Sequence, residues 1–431
     1  MKRLFSSLSF YFFIILFHSY SFPLWAENAE SLIDEERIEK ALDEFYLTLT
    51  DDEKIEQLFL VNIEGNEKFY PVEKCSEIPS LVKNNPQLKN KALVPGGILL
   101  FNYNVASSAE KVFSFTKSIK EFYKDENLVL PYISVDQEGG FVNRFKNITS
   151  VFTSQENVSA KLNPMQAYEY YKLQARQLKL LGVDLNLSPV AEPLTETNKA
   201  FLLSRSFGRV PETCVYTLAE VEAFHSENLS CVLKHFPGNS NTDPHTGLPF
   251  LDCTEAELFN TYLLPFKFSL SSRPEGILMS HIQVKNNDEK NPSCLSSYWI
   301  SEVLKTKYEY TGLIISDDIF MAALEKNGFP PEVACVKAIE AGCDVIMLSE
   351  KRFARAAQYL LSYAEKNPDF KKLLALASKN VLREKLNQGL LVYSEKENAV
   401  TKKVQIQNEF SSKEFYDARD EGNLFYTKFF K

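Results

Sequence analysis

Eight short apolar runs spread along residues 58–348 constrain this chain more than any other feature. They are Leu58–Ile63, Gly97–Phe101, Tyr132–Val135, Val183–Val190, Cys231–Leu233, Gly276–Met279, Leu313–Ile315 and Val345–Leu348. Each has the length of a strand. The fourth is the least uniformly apolar, because Asp184, Asn186 and Ser188 alternate with Val183, Leu185 and Leu187, which is still a strand period. Helix-compatible sequence lies between most of the runs. Pro331–Ala341 reads as one such helix, stopped by Gly342. Thr50-Asp51-Asp52-Glu53 reads as a capping box that opens a short helix ahead of the first strand. Eight β/α units in roughly 350 residues predict an α/β fold, a TIM-type (β/α)8 barrel forming a single catalytic domain. The runner-up is an open doubly wound sheet, but no Gly-rich phosphate fingerprint follows a first strand.

Composition supports a large folded domain. Of 431 residues 45% are hydrophobic and 24% charged, and Gly and Pro number only 15 and 19. That excludes a disordered, collagen-like or low-complexity chain. The formal charge of −9 argues against nonspecific binding to nucleic acid or anionic lipid. Lys2 and Arg3, the apolar run Phe10–Phe17 and Ala26 before Glu27 read as a secretory signal peptide over residues 1–26, too short and interrupted for a good membrane span. Its removal takes the charge from −9 to −11, since Lys2 and Arg3 are the only charged residues it holds. The expectation is an exported protein, periplasmic or secreted, with no membrane contact beyond the leader. The barrel domain then covers residues 27–392. A tail over 393–431 is charged and ends in the aromatic cluster Phe415, Tyr416, Phe425, Tyr426, Phe429 and Phe430, read as a docked terminal helix. The seven cysteines are scattered without a CxxC pair, so a zinc ribbon or thioredoxin-like site is not expected, and most read as small core hydrophobes.

In a TIM barrel the chemistry sits at the C-terminal ends of the strands. Polar residues gather there. Strand three ends in Asp136-Gln137-Glu138-Gly139-Gly140, strand five in Lys234-His235-Phe236-Pro237-Gly238, strand six in Ser280-His281 and strand seven in Ser316-Asp317-Asp318. Any one of these has an ordinary structural explanation. Asp318, for instance, suits a loop cap, which leaves Asp317 free to face the barrel mouth. Their joint occurrence points to a site, because Lys and Asp are costly to bury unless paired or bound to a ligand. Of five histidines, His235, His245 and His281 fall at or just after strand ends five and six. The spacing of Asp243 and His245 lets the carboxylate reach the imidazole, fixing its tautomer and raising its proton affinity.

These motifs resemble family 3 glycoside hydrolases, in the single-domain β-N-acetylhexosaminidase branch. The segments that carry the resemblance are Val135–Arg144 (VDQEGGFVNR), Gly182–Val190 (GVDLNLSPV), Ser204–Gly208 (SRSFG), Lys234–Gly238 (KHFPG), Asp243–Pro249 (DPHTGLP), Met279–Ile282 (MSHI) and Gly312–Met321 (GLIISDDIFM). The resemblance implies a retaining mechanism. Asp317 matches the nucleophile, and His245 paired with Asp243 matches the acid/base dyad of that branch, where most retaining enzymes use two carboxylates. Asp136, Arg144, Arg205, Lys234 and His235 match sugar-binding positions. The implied activity is exo-acting removal of terminal N-acetylglucosamine from cell-wall fragments or chitooligosaccharides, with a carbohydrate as the partner and no metal or organic cofactor.

Two departures from the family pattern stand out. The usual His-Gly-Asp-Thr after KHFPG is Asn239-Ser240-Asn241-Thr242 here, and Asp243 follows directly, so the dyad loop is two residues shorter. Phe141 stands where an Arg is usual. Three other readings compete. One is a β-glycosidase of the same fold acting on glucosides or xylosides, against which the Asp243/His245 pair argues. Another is a catalytically weakened, carbohydrate-binding barrel. The last is a metal-dependent barrel hydrolase using His235, His245, His281 and Asp317, which lacks a His-x-His pair on an early strand.

Overall fold

All eight apolar runs form strands, and every strand residue is buried. In the computed structural model, which describes residues 27–431, they are β1 (Phe59–Asn62), β2 (Gly97–Leu100), β3 (Tyr132–Val135), β4 (Leu185–Asn186), β5 (Ser230–Phe236), β6 (Gly276–Met279), β7 (Leu313–Ile315) and β8 (Ile346–Leu348). They pair in parallel in the order β7-β6-β5-β4-β3-β2-β1-β8, and a parallel bridge from Ile315 to Val345 joins the two ends into a barrel. Burial on both faces explains the near-continuous apolar runs: side chains pointing inward fill the barrel, and those pointing outward meet the helices. The proposed leader, residues 1–26, lies outside the described residues.

The helices follow from local signals. In α1 (Asp51–Glu56) the Glu53 carboxylate accepts hydrogen bonds from the Thr50 N–H at 3.0 Å and its hydroxyl at 2.9 Å. The longer ring helices include α2 (Ala109–Asp125), α3 (Pro164–Leu180), α4 (Val210–Ser226), α5 (Pro331–Ala341), α6 (Ala354–Lys366) and α7 (Pro368–Asn387). Gly342, at φ +109°, ends α5 in a conformation that suits glycine.

Two strand boundaries differ from the sequence expectation. β4 is confined to Leu185–Asn186, because its polar residues are committed to neighbours and Pro189 brings no N–H to the ladder. Asp184 accepts from Lys120 Nζ at 2.8 Å and from the Ile133 N–H at 3.1 Å, while Ser188 donates to Glu220 at 2.6 Å. β5 is longer than Cys231–Leu233 and carries Lys234 and His235 inside the strand, not beyond it. Its backbone holds the cis peptides Lys234-His235 and, just past its end, Phe236-Pro237.

The described chain divides into two compact units. The smaller holds the helix Glu27–Thr48 and residues 393–400. The larger holds the barrel, residues 49–392, and residues 401–431. In the latter, α8 (Ser412–Phe429) packs on α3, with Phe415 fully buried and the rings of Phe425 and Phe430 at 5.6 and 5.4 Å from that of Tyr170. Gly422 permits the close approach, since a Cβ there would collide with the Ser150 hydroxyl. The seven cysteines are free thiols, and all but Cys253 are buried.

Candidate active site

A cavity of about 340 Å³ opens at the C-terminal end of the barrel. Its wall includes Asp136, Arg144, Arg205, Lys234, His235, His245 and Asp317. Of the residues matched to catalytic or sugar-binding roles from the sequence, Asp243 is not on that wall but contacts His245.

One side of the site is built by the turn after β3. Gln137–Gly139 and Val142–Asn143 form a small antiparallel ribbon. Gln137 holds it in place. Its side-chain oxygen accepts from the N–H groups of Arg144 (2.8 Å) and Phe145 (3.2 Å), and its backbone N–H donates to Asn186 Oδ1 at 2.9 Å. Gly139, at φ +93°, lies against the Thr153 carbonyl, where any Cβ would clash. The two flanking acids, Asp136 and Glu138, thereby face three cations.

Those five groups form an alternating chain. Arg144 lies 3.6 Å from Asp136, Lys234 lies 2.7 Å from Asp136 and 2.6 Å from Glu138, and Arg205 meets Glu138 through Nε and Nη2 at 2.8 and 2.9 Å. The two-point Arg205 contact is the strong, planar kind. Burial works against both carboxylates, but Arg205 and Lys234 together outweigh it at Glu138 and hold that carboxyl well below its ordinary range. Lys234 and Arg144 do the same for Asp136. Burial likewise opposes the Lys234 ammonium, and the two acids raise its pKa above that of an ordinary lysine. Two of its three hydrogens serve those acids, which leaves one for the cavity. The buried Arg144 Nε has no hydrogen-bond partner in the protein.

His235 is oriented by Glu192, whose Oε1 lies 2.7 Å from Nδ1 and also accepts from Asn239 Nδ2 at 3.0 Å. Because the carboxylate only accepts, Nδ1 carries the hydrogen. Asn239 begins the shortened loop, and Asn241 secures its middle by donating to the Glu196 carbonyl (2.9 Å) and accepting from the Ala200 N–H (2.8 Å). The residues that replace the family's usual His-Gly-Asp-Thr therefore anchor the loop. At its tip, Asp243 Oδ1 accepts from the His245 N–H at 2.9 Å and lies 2.7 Å from Nδ1. The His245 N–H is the first cause holding the Asp243 carboxyl below its ordinary range, followed by the imidazole contact. An ionised Asp243 places the ring hydrogen on Nδ1 and leaves Nε2 as the reactive nitrogen. The His245 side chain is 68% exposed.

On the β7 side, Asp318 acts as the loop cap: Oδ1 accepts from the N–H groups of Phe320 and Ser349, both at 3.0 Å. Asp317 is free to face the cavity, with one oxygen steadied by the Asp318 N–H at 2.8 Å. His281 is fully buried and does not line the cavity. Its Nε2 lies 3.1 Å from the Asp318 carbonyl and its Nδ1 lies 3.2 Å from Cys294 Sγ. Burial pushes its pKa down, so the ring is neutral and donates through Nε2. It braces the segment that presents Asp317. Among the described residues, His235, His245, His281 and Asp317 do not bring ligand atoms together as a metal site would require.

Sequence reasoning missed Glu138 and Glu192, which hold the cavity's cations and imidazole in place. Glu138 lies within the quoted VDQEGG motif, so the signal was there. Glu192 follows the fourth strand in an unremarked Ala-Glu-Pro, and nothing local marks it.

Residues 50–383 match the Glycosyl hydrolase family 3 N terminal domain. Over 297 residues the chain is 30% identical to the Beta-hexosaminidase of Xylella fastidiosa (strain M23), covering 66% of this chain and 85% of that protein. It is 28% identical over 295 residues to Beta-hexosaminidase A of Pseudoalteromonas piscicida, where the match covers 63% of this chain but spans only 49% of the relative. A solved family 3 beta-N-acetylglucosaminidase from Paenibacillus sp. str. FPU-7 superposes with a TM-score of 0.70 at 22% identity, over 86% of this chain and 68% of that one. At that identity the likeness establishes the barrel fold.

Proposed function

The chain belongs to glycosyl hydrolase family 3, and from that premise we propose that it is a retaining exo-β-N-acetylglucosaminidase. The observation that carries the proposal is that Asp317 and the His245 imidazole, backed by Asp243, line one cavity together with the acid–cation chain. The Asp317 carboxylate attacks the anomeric carbon while His245 Nε2–H protonates the departing oxygen, which breaks the glycosidic bond and leaves a glycosyl ester. Nε2 then takes a proton from water, the water oxygen attacks the same carbon, and Asp317 is released. Asp136, Arg144, Arg205, Lys234 and His235 hold the sugar by hydrogen bonds. A cavity of about 340 Å³ suits one terminal ring, and so exo-action.

Asp243 fixes the ring orientation and stabilises the imidazolium that donates its Nε2 proton in the first step and re-forms when Nε2 takes a proton from water in the second. Asp243→Asn is expected to lower kcat on an N-acetylglucosamine disaccharide by about 10²- to 10⁴-fold. His245→Ala is expected to lose a similar factor on the disaccharide but much less on an aryl glycoside, whose leaving group needs little protonation. Equal losses on both substrates would remove His245 from the acid role. The direct assay is hydrolysis of a chromogenic N-acetylglucosaminide, run beside the glucoside and xyloside. No turnover of any of them at enzyme excess overturns the proposal, and a clear preference for glucoside reassigns the substrate.

The proposal extends to N-acetylglucosamine-ended cell-wall fragments or chitooligosaccharides as natural substrates, and to export into the periplasm or medium. The Lys2-Arg3 pair and the apolar run Phe10–Phe17 support export. Among the described residues no helix is long and apolar enough to cross a membrane. Cell fractionation with N-terminal sequencing tests this: mature protein beginning near Glu27 outside the cytoplasm is the expected result, and intact Met1 inside it is the contrary one.

A further inference from the structure

A second set of ligating side chains lies at the opposite end of the barrel strands. His225 is on the last turn of α4, Cys231 is the second residue of β5, and Glu275 immediately precedes β6. Cys231 is three residues upstream of Lys234, so along the strand it sits about 10 Å below the active-site cavity. The three offer an imidazole nitrogen, a thiol sulfur and a carboxylate oxygen within 4.8 Å of one another, and no other such trio occurs among the described residues. His225 Nε2 lies 3.2 Å from Glu275 Oε1 and 3.8 Å from Cys231 Sγ. Zinc bond lengths of about 2.3 Å to sulfur, about 2.0–2.1 Å to imidazole and about 2.0–2.2 Å to carboxylate give tetrahedral edges of roughly 3.3 Å (N to O) and roughly 3.6 Å (N to S). The two edges that meet at the imidazole nitrogen, 3.2 and 3.8 Å, match those values to within a few tenths of an ångström, and the sulfur and the carboxylate oxygen lie within 4.8 Å of each other.

We propose that His225, Cys231 and Glu275 bind one zinc-type divalent cation that ties α4 to the starts of β5 and β6. A thiolate and an imidazole select zinc over magnesium or calcium, which take hard oxygen ligands. The charges balance: the dication is matched by one thiolate and one carboxylate, with the imidazole neutral. On binding, the Cys231 thiol releases its proton to solvent and the sulfur–metal bond forms. Glu275 is pre-oriented, because its Oε2 accepts from the Cys231 N–H at 2.8 Å. A fourth ligand has room. His225 and Glu275 line a cavity of about 200 Å³, and their side chains are 26% and 19% exposed, so water completes the tetrahedron and the ion has an entry path. An ordinary His–Glu hydrogen bond explains two of the three residues. The buried Cys231 thiol, 3.8 Å from the same ring nitrogen, adds the soft third ligand atom that such a pair alone lacks.

The test uses the full chain, reduced and stripped with chelator, titrated with ZnCl2 and separately with CoCl2. One equivalent of Zn²⁺ is expected to bind and to raise the unfolding temperature. Co²⁺ is expected to give thiolate-to-metal charge-transfer absorption and intense visible bands of tetrahedral geometry. Cys231→Ser should abolish the charge-transfer band, and Glu275→Gln should weaken Zn²⁺ at least about tenfold. Near-ultraviolet circular dichroism of each stripped variant checks that it is folded. Should Cys231→Ser fail to fold, Glu275→Gln and His225→Gln carry the same comparison. A wild-type chain that retains no zinc through dialysis, or a titration unchanged in the folded variants, overturns the proposal.

Discussion

Asp317→Asn is expected to reduce turnover of a chromogenic N-acetylglucosaminide by on the order of 10⁴-fold or more, as loss of a covalent nucleophile does elsewhere. That factor corresponds to about 5 kcal/mol of barrier. The isosteric amide keeps an oxygen to accept the Asp318 N–H at 2.8 Å, so the β7 loop has no reason to move. What it loses is the negative charge and the lone pair that attack the anomeric carbon. Sugar binding, read by calorimetry, should therefore stay within a few-fold, and the loss should fall in kcat and in kcat/KM alike, because the missing interaction exists only on the way to the glycosyl ester. Asp318 is the internal comparison. Its Oδ1 is committed to the Phe320 and Ser349 N–H groups, and Asn preserves that acceptor, so Asp318→Asn should keep most activity. The reverse outcome, with the Asp318 variant dead and the Asp317 variant active, would reassign the nucleophile.

The difference between those neighbours shows what the sequence could and could not reveal. Seven of the eight strands were legible because a barrel interior demands near-continuous apolar runs, the fourth by its period-two alternation, and polar residues at their ends were legible because a barrel presents chemistry there. The Asp318 cap was legible because a carboxylate that caps a loop has a recognisable place just ahead of backbone N–H groups, here those of Phe320 and Ser349. The extent of β5 was not legible. Lys234 and His235 look like loop residues, and only the partners Asp136, Glu138 and Glu192, 43 to 98 residues away in sequence, allow them to stay inside a buried strand. Glu192 escaped for the same reason: its role lies entirely in a contact with His235, and no local pattern encodes it. The shortened dyad loop could be read only as a departure until Asn239 and Asn241 were seen to anchor it.

Glu138→Gln is the second large effect, and it falls on stability as well as on the site. Glu138 is 2% exposed and accepts two bonds from Arg205 and one from Lys234. Removing its charge leaves two buried cations short of an anion, which costs about 3–5 kcal/mol in comparable buried pairs. Denaturant unfolding at neutral pH should show that deficit, and KM should rise because Arg205 and Lys234 lose the group that aims them into the cavity. The pH dependence gives an independent check. Although burial opposes it, the two cations hold the Glu138 carboxyl below its ordinary range in the folded protein. The unfolded chain, with a glutamate pKa of about 4.3, therefore binds more protons as the pH falls below that value. The wild-type stability contribution is complete above that pH and is lost on acidification at up to about 1.4 kcal/mol per pH unit for this one group. The amide in the Glu138→Gln variant does not titrate, so the gap between variant and wild type should be widest at neutral pH and should narrow below about pH 4. Asp136 titrates in both proteins and cancels from the comparison to the extent that its own environment is unchanged. A gap that stays constant from neutral pH into that acid range would mean that the Glu138 carboxyl titrates alike in the folded and unfolded chain, and the acid–cation chain would have to be redrawn without the charge coupling assigned to it.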